Sequence, residues 1–133
     1  MKFKSQICTS KSQSEALLKL GLKKETADIV YQPYYVDGVL IDYFEPQVLH
    51  GSMREYIIQN DEDFKDYIPA WSLHRLLSIL NEDDSIIDVT VKDGRYGIHS
   101  GYDTEWYDDL YDGIIAVFDE LIKEGYFNKE YLV

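Results

Sequence analysis

Asp88 and His99 are the residues whose types and spacing come nearest to acid–base chemistry. An Asp-Gly turn between two β-rich runs predicts a hairpin in which Asp88 lies directly opposite His99. A carboxylate beside an imidazole fixes its tautomer and raises its basicity, as a hydrolase requires. A nucleophile must then lie beside His99, but Ser100 points to the other face and Thr90 is only a diagonal neighbour. We therefore interpret the pair as a cross-strand surface contact, with an acid–base hydrolase as the alternative function.

A run of acidic residues around Glu105 offers a second kind of chemistry, a divalent-cation site. Its members are Asp103, Glu105, Asp108, Asp109 and Asp112. Hard cations bind several oxygen ligands that converge on one point. On a helical wheel, however, Asp108, Asp109 and Asp112 point away from the apolar side of the last predicted helix, and Asp119 and Glu120 join them. We predict a solvated acidic face and assign no metal; a small metal-dependent hydrolase that uses the carboxylates near Glu105 stays the alternative.

Other signatures of catalysis or cofactor binding are missing from the sequence. Cys8 is the single cysteine, so no internal disulfide and no Cys/His metal spacing is possible, and we expect Cys8 to be a small packing residue. The sequence has neither a Gly-rich phosphate loop nor a Gly-x-Ser-x-Gly motif. No catalytic residue and no cofactor is assigned.

Trp71, in the segment IPAWSLHRLL, has two possible roles that depend on where a helix begins. If the helix began at Pro69, Trp71 would be exposed beside Arg75, and a Trp–Arg pair is a typical interface hot spot. If Ser72 is the N-cap, Trp71 instead packs on Leu76 as a hydrophobic staple. Serine is a far better cap than the isoleucine that a Pro69 start would require, which favours the staple.

Exposure and charge predict a set of residues that contact a partner. They are Trp71, Arg75, Asp108, Asp112 and Asp119.

The elements that position these residues can be recognised by their caps and turns. A Ser12-x-x-Glu15 capping box and Gly21 predict a short first helix. The last helix has an apolar arc that runs from Tyr107 to Ile122 and ends at Gly125.

Two hairpins are predicted between these helices. The segment IVYQPYYV-DG-VLIDYF turns at Asp37-Gly38, with Pro33 pushing its strand to an edge, but apolar residues occupy both of its faces. The second hairpin turns at Asp93-Gly94 and pairs Val91 with Tyr96, Val89 with Ile98 and Ile87 with Ser100 on the face that we expect to meet the core. The stretch from Gln47 to Asn60 is ambiguous between strand and loop.

These elements predict an α+β fold, with an antiparallel sheet built from two β-hairpins and packed by about three helices. The length of 133 residues fits a single domain over residues 1–133. No apolar run approaches the roughly 20 residues that span a bilayer, and the first residues lack the apolar stretch of a signal peptide. We expect no membrane association and a cytoplasmic location.

Charge is distributed unevenly along the chain. Residues 1 to 24 hold six lysines and one acid, Glu15, whereas the remainder holds 7 basic and 24 acidic residues. Such an acidic body repels phosphates, so direct nucleic-acid binding is disfavoured and a basic partner becomes plausible.

Three segments of the sequence resemble a group of small uncharacterised proteins of phages and mobile elements of gut bacteria. They are IPAWSLHRLL, the opening SQICTSKSQSEALLKLGLKKETADIVY and the closing LIKEGYFNKEYL, which includes GYFNKEYL. The resemblance does not extend to residues 32 to 66. It implies an accessory gene of a mobile element, and it implies no catalytic residues.

Charge, the twelve tyrosines and the lack of a catalytic constellation predict a non-enzymatic protein-interaction module with an acidic, Tyr-rich surface. The expected partner is a host or phage protein, and a homo-oligomer is also possible. A sharper version of this hypothesis is a DNA mimic or inhibitor that occupies a nucleic-acid-binding protein.

Overall fold

The fold combines helices with antiparallel sheets. The computed structural model describes residues 6–51, 54–55, 59, 62–81, 87–100 and 103–133. Three helices are described over their whole length: α1 (Lys11–Lys19), α2 (Leu73–Leu80) and α3 (Leu110–Glu124). The strands of the described residues are β1 (Ile29–Tyr31), β2 (Pro33–Val36), β3 (Val39–Tyr43), β4 (Gln47–Val48), β5 (Ile68–Ala70), β6 (Ile87–Lys92), β7 (Arg95–Ser100) and β8 (Asp103–Tyr107). The predicted α+β class is confirmed.

The strands form three sheets, with the orders β4-β1-β5, β2-β3 and β6-β7-β8, and every pair is antiparallel. Both predicted hairpins are present. Each closes on an Asp-Gly pair with positive φ at both residues, 51° and 77° at Asp37-Gly38 and 54° and 73° at Asp93-Gly94, which is the type I′ geometry. The two hairpins lie in different sheets, because β2 and β3 pair only with each other among the described residues while β8 extends the second hairpin.

The register of the second hairpin is the predicted one at all six pairs, including Asp88 opposite His99. The expected core face is only partly correct. Ile98 is buried, but Val91 is 66% exposed because β6 is an edge strand that α3 does not cover fully. The helix comes close to the sheet at Gly113, where an added Cβ would lie 2.7 Å from Ile98 Cδ1 and 2.7 Å from the Tyr107 ring.

Helix α1 begins two residues earlier than the predicted capping box. Ser10, and not Ser12, is the N-cap: its Oγ accepts from the Gln13 N–H at 3.2 Å, and Gln13 Oε1 accepts from the Ser10 N–H at 2.9 Å. A glutamine closes this box as well as a glutamate would, so the Ser12–Glu15 spacing was a coincidence. Gly21 ends the helix as predicted, with φ of 101°.

Helix α3 begins at Leu110 with Asp109 as its N-cap. Tyr107, which the helical wheel counted in the apolar arc, belongs instead to strand β8. The end of the helix is as predicted, since Gly125 has the left-handed φ of 77°.

The main core lies between α1, α2, α3 and β7. Its buried residues are Leu17, Leu22, Ala27, Trp71, Leu76, Ile79, Leu80, Ile98, Tyr111, Ile114, Val117, Phe118 and Phe127. A smaller cluster of Cys8, Ile29 and Ala70, with Tyr31 packed against it, lies at sheet β4-β1-β5. In the ambiguous stretch, Gln47–Val48 forms β4, and positions 52–53, 56–58 and 60 lie outside the described residues. Among the helices that the structure describes, none has the length and apolar character needed to cross a membrane.

The start of α2 gives a direct stability prediction. Ser72 is the N-cap and its Oγ accepts from the Arg75 N–H at 3.1 Å. We expect Ser72→Ala to lower the free energy of unfolding by about 0.5–2 kcal/mol, because the helix loses its cap and Asp28 loses the hydrogen bond from the same hydroxyl. Ser78→Ala, at an exposed position of the same helix, is the matched control and should change it by less than about 0.5 kcal/mol. Urea unfolding of both variants measures this; equal effects would contradict the cap assignment.

Candidate interaction surface

Trp71 is a core residue. Its side chain is 0% exposed, and the indole Nε1 donates to Thr26 Oγ1 at 2.9 Å. The backbone on either side is held as well: the Trp71 N–H donates to Thr9 Oγ1 at 3.1 Å, and the Thr9 N–H donates to the Trp71 carbonyl at 2.9 Å. A large aromatic residue with its polar atom satisfied is packed for stability.

The residues after Trp71 complete this attachment. Ser72 donates its N–H to Asp28 Oδ1 at 2.9 Å and its hydroxyl to Asp28 Oδ2. Arg75 Nε donates to the Thr26 carbonyl at 2.7 Å. The start of α2 is therefore tied to the segment that precedes β1.

These contacts decide between the two interpretations of Trp71. The Ser72 cap and the burial of both Trp71 and Leu76 in one cluster fit the staple. The exposed Trp71–Arg75 pair is wrong: the indole has no surface to offer a partner, and the guanidinium is bound to a backbone carbonyl.

His99 lies where the register places it, but Asp88 does not orient it. His99 Nε2 lies 2.9 Å from Thr90 Oγ1, and Nδ1 is hydrogen-bonded to Thr104 Oγ1. Because threonines engage both ring nitrogens, the Asp88–His99 hydrogen bond of an acid–base dyad is not made. The hydroxyls fix the ring on the outer face of the sheet.

Three of the candidate acids on and before α3 have partners within the chain. Asp108 is highly exposed and lies 3.2 Å from Arg95 Nε. Asp112 accepts from Gln13 Nε2 at 2.7 Å, and Asp119 lies 2.9 Å from Lys123 Nζ. Asp109 is the N-cap of α3, so its predicted place on the helix face is wrong.

Within the part of the chain that the structure describes, no three His, Cys, Asp or Glu side chains come together in a way that could hold a metal ion. The side chain of Asp103 lies outside that description. Burial raises the pKa of the Cys8 thiol, which keeps it protonated and makes it a poor nucleophile.

A cleft of about 660 Å³ lies between the starts of α2 and α3. His74, Tyr96, Asp108 and Asp109 line it, with Tyr111 beside them. Burial raises the pKa of Tyr111 to about 12, further above physiological pH than that of an ordinary tyrosine. The carboxylates of Asp108 and Asp109 give the cleft an acidic character.

The most unusual surface is the hairpin of β2 and β3, which we call the arm and define as residues 34 to 44. Every residue from 34 to 42 is exposed. Its exposed apolar residues are Tyr34, Tyr35, Val36, Val39, Leu40, Ile41 and Phe44. Val39 and Ile41 expose 63% and 60% of their surface. Soluble monomers rarely leave so continuous an apolar patch uncovered, so the arm has the composition of a binding surface.

The arm is attached to the body at two places, one near its turn and one at its base. Tyr35 Oη donates to Asp66 Oδ2 at 2.5 Å, which raises the pKa of Tyr35 to about 12 because the carboxylate favours the protonated phenol. Lys11 Nζ lies 3.8 Å from Asp42 Oδ1 and 5.1 Å from the centre of the Tyr43 ring. No arm residue belongs to either buried cluster.

Local geometry stiffens the arm itself. The rings of Tyr34 and Phe44 meet edge to face at 5.3 Å, and the register shifts between Tyr34 and Tyr35 as at a β-bulge. A bulge increases twist and hinders the pairing of further strands. The arm is therefore better suited to contacts through its side chains than to strand addition.

The sequence contained a signal for the arm. Apolar residues on both faces of the first hairpin leave no polar face for solvent. Periodicity cannot tell whether such a hairpin is buried on both sides or open on both, and so these residues were not among the predicted interaction candidates.

No family model, curated protein or solved structure matches this chain. The functional inference therefore depends on the geometry of its own residues.

The Thr26 hydroxyl tests whether the indole bond is important for stability. It accepts from Trp71 and donates to the Lys23 carbonyl at 2.7 Å. We expect Thr26→Val to lower the free energy of unfolding by about 1–3 kcal/mol, since it leaves the buried indole N–H of Trp71 without a partner. Thr26→Ser should retain most of the wild-type stability. Chemical denaturation compares the two; a serine variant as unstable as the valine variant would assign the effect to packing.

The exposure of the arm predicts that its apolar residues contribute little to stability. Ile41→Ala should change the free energy of unfolding by less than about 0.5 kcal/mol. Ile114→Ala, the same substitution at a fully buried site, should cost about 2–5 kcal/mol. Thermal and urea unfolding measure both, and a large loss in Ile41→Ala would show that the arm is covered.

Proposed function

We propose that this chain is a non-enzymatic protein-interaction module that binds another protein through the arm. The observation that carries the proposal is the exposure of seven apolar side chains on one hairpin. Burying them against a partner would remove apolar surface from water, which is the main driving force for association. Tyrosine and phenylalanine are also enriched at the centres of interfaces.

The proposal includes the accessory role in a phage or mobile element that the resemblance implies, and the cytoplasmic location that the sequence predicts. The DNA-mimic version has less support, because Asp108, Asp112 and Asp119 are each engaged within the chain. The hydrolase alternative also has less support, since His99 is held by two threonines and not by Asp88.

The test is affinity capture with the arm varied. Wild type, a Val39→Ser/Ile41→Ser double variant and Val91→Ser are immobilised after circular dichroism and thermal melting show that each is folded. Val91 is the matched control, because it is as exposed as Val39 but lies on another sheet. We expect wild type and Val91→Ser to retain the same protein. The arm variant should bind that protein at least about tenfold more weakly than wild type does.

Two results would contradict the proposal. A partner retained equally by the arm variant would assign binding to another surface. A partner lost equally by Val91→Ser would indicate a general apolar attraction.

A further inference from the structure

The arm is acidic as well as apolar. Residues 25 to 53 contain five acids and no lysine or arginine. Three of the acids follow the arm: Asp37 at its tip, Asp42 on β3 and Glu45 directly after its base, and all three are exposed. An apolar surface with carboxylates along its length matches a partner with apolar and cationic groups in alternation.

The chain already shows how a cation binds to the arm. Lys11 approaches the arm base and meets two groups there, the Asp42 carboxylate at 3.8 Å and the face of the Tyr43 ring at 5.1 Å. An ammonium group over an aromatic face is attracted by the ring as well as by the carboxylate. Tyr34 on β2 lies opposite the same Asp42, so a second aromatic residue borders this carboxylate.

A second copy of the chain is a poor occupant on electrostatic grounds. Two arms packed together would bring Asp37, Asp42 and Glu45 of each copy close to like charges. The cleft between α2 and α3 could not receive an arm favourably either, because Asp108 and Asp109 line it. Like charges brought together at an interface oppose association.

We propose that the occupant of the arm is a basic amphipathic segment of another protein. It packs its apolar side chains on Val36, Val39 and Ile41, and it places lysine or arginine beside Asp37 and Glu45. At Asp42, which stays 71% exposed, it competes with the long 3.8 Å surface contact that Lys11 makes. This inference rests on the proposed function and adds the chemistry of the partner. The apolar contacts supply most of the affinity, and the carboxylates select a basic segment over an acidic one.

The test uses a pair of short synthetic peptides as probes. One alternates leucine with lysine, and the other carries glutamate at each lysine position. Fluorescence anisotropy measures their binding to wild type at about 0.05 M and about 0.3 M salt, since screening weakens an exposed charge contact. We expect wild type to bind the lysine peptide, to bind it more weakly at the higher salt, and not to bind the glutamate peptide.

Two charge variants separate the arm from the overall acidity of the chain. Asp37→Asn/Asp42→Asn/Glu45→Gln neutralises the acids of the arm. Glu120→Gln/Glu124→Gln/Glu130→Gln neutralises three exposed acids elsewhere and changes the net charge by the same amount. The arm variant should weaken lysine-peptide binding about tenfold, and the control by less than about threefold.

Several outcomes would overturn the inference. Equal weakening by the two variants would mean diffuse attraction to an acidic protein, and no binding of the lysine peptide would exclude a basic segment. A captured protein that depends on Val39 and Ile41 but not on the acids would leave the proposed function standing and refute the partner chemistry. Sedimentation that shows an arm-dependent dimer would make a second copy the occupant.

Discussion

Burial of Trp71 is the constraint on which the described fold most depends. The indole fills the centre of the core, and its polar atom and flanking backbone connect residues that are far apart in the chain, Thr9 and Thr26. Ser72 then starts α2 directly from this fixed point and binds Asp28. A single residue, through its indole and its backbone, thus sets the position of α2 relative to both α1 and β1. Few other groups in the described residues combine complete burial with so many hydrogen bonds across the sequence.

The rest of the chain covers most of its apolar residues, whereas the arm leaves its own exposed. The body buries its apolar residues between helices and sheet, whereas a two-stranded hairpin has no core of its own and is stabilised only marginally in water. The type I′ turn, the Tyr34–Phe44 contact and the bond from Tyr35 to Asp66 compensate for this. The bulge and the carboxylates reduce the tendency of such a hairpin to pair with other strands. An apolar surface can therefore stay open without the chain depending on it to fold.

Local chemistry made some features predictable. The type I′ turn at Asp93-Gly94 fixes its own register, so all six pairs of the second hairpin followed from the sequence. Ser72 was preferred as a cap for a reason that is equally local, and the buried Trp71 followed from it. The capping box of α1 was misplaced because Ser10–Gln13 and Ser12–Glu15 satisfy the same pattern. Strand β8 was missed because Tyr107 also fits the helical wheel of α3, and only its pairing with Tyr96 decides between them.

The surface that supports the functional proposal was the least predictable part. Whether Val39 and Ile41 are covered depends on contacts with residues distant in the sequence, and no periodicity records those contacts. The acids on α3 show the converse case. Their charge was evident, and the Asp119–Lys123 pair follows from i,i+4 spacing. The contacts of Asp112 with Gln13, and of Asp108 before the helix with Arg95, needed the tertiary structure.

The absence of arm residues from both buried clusters has an evolutionary consequence. Most substitutions are removed by selection because they destabilise the fold, and exposed arm positions such as Val39 and Ile41, which lie outside the turn and the anchoring contacts, escape most of that filter. Their identity can therefore drift or adapt at the rate that a changing partner demands, while the rest of the chain is held by packing.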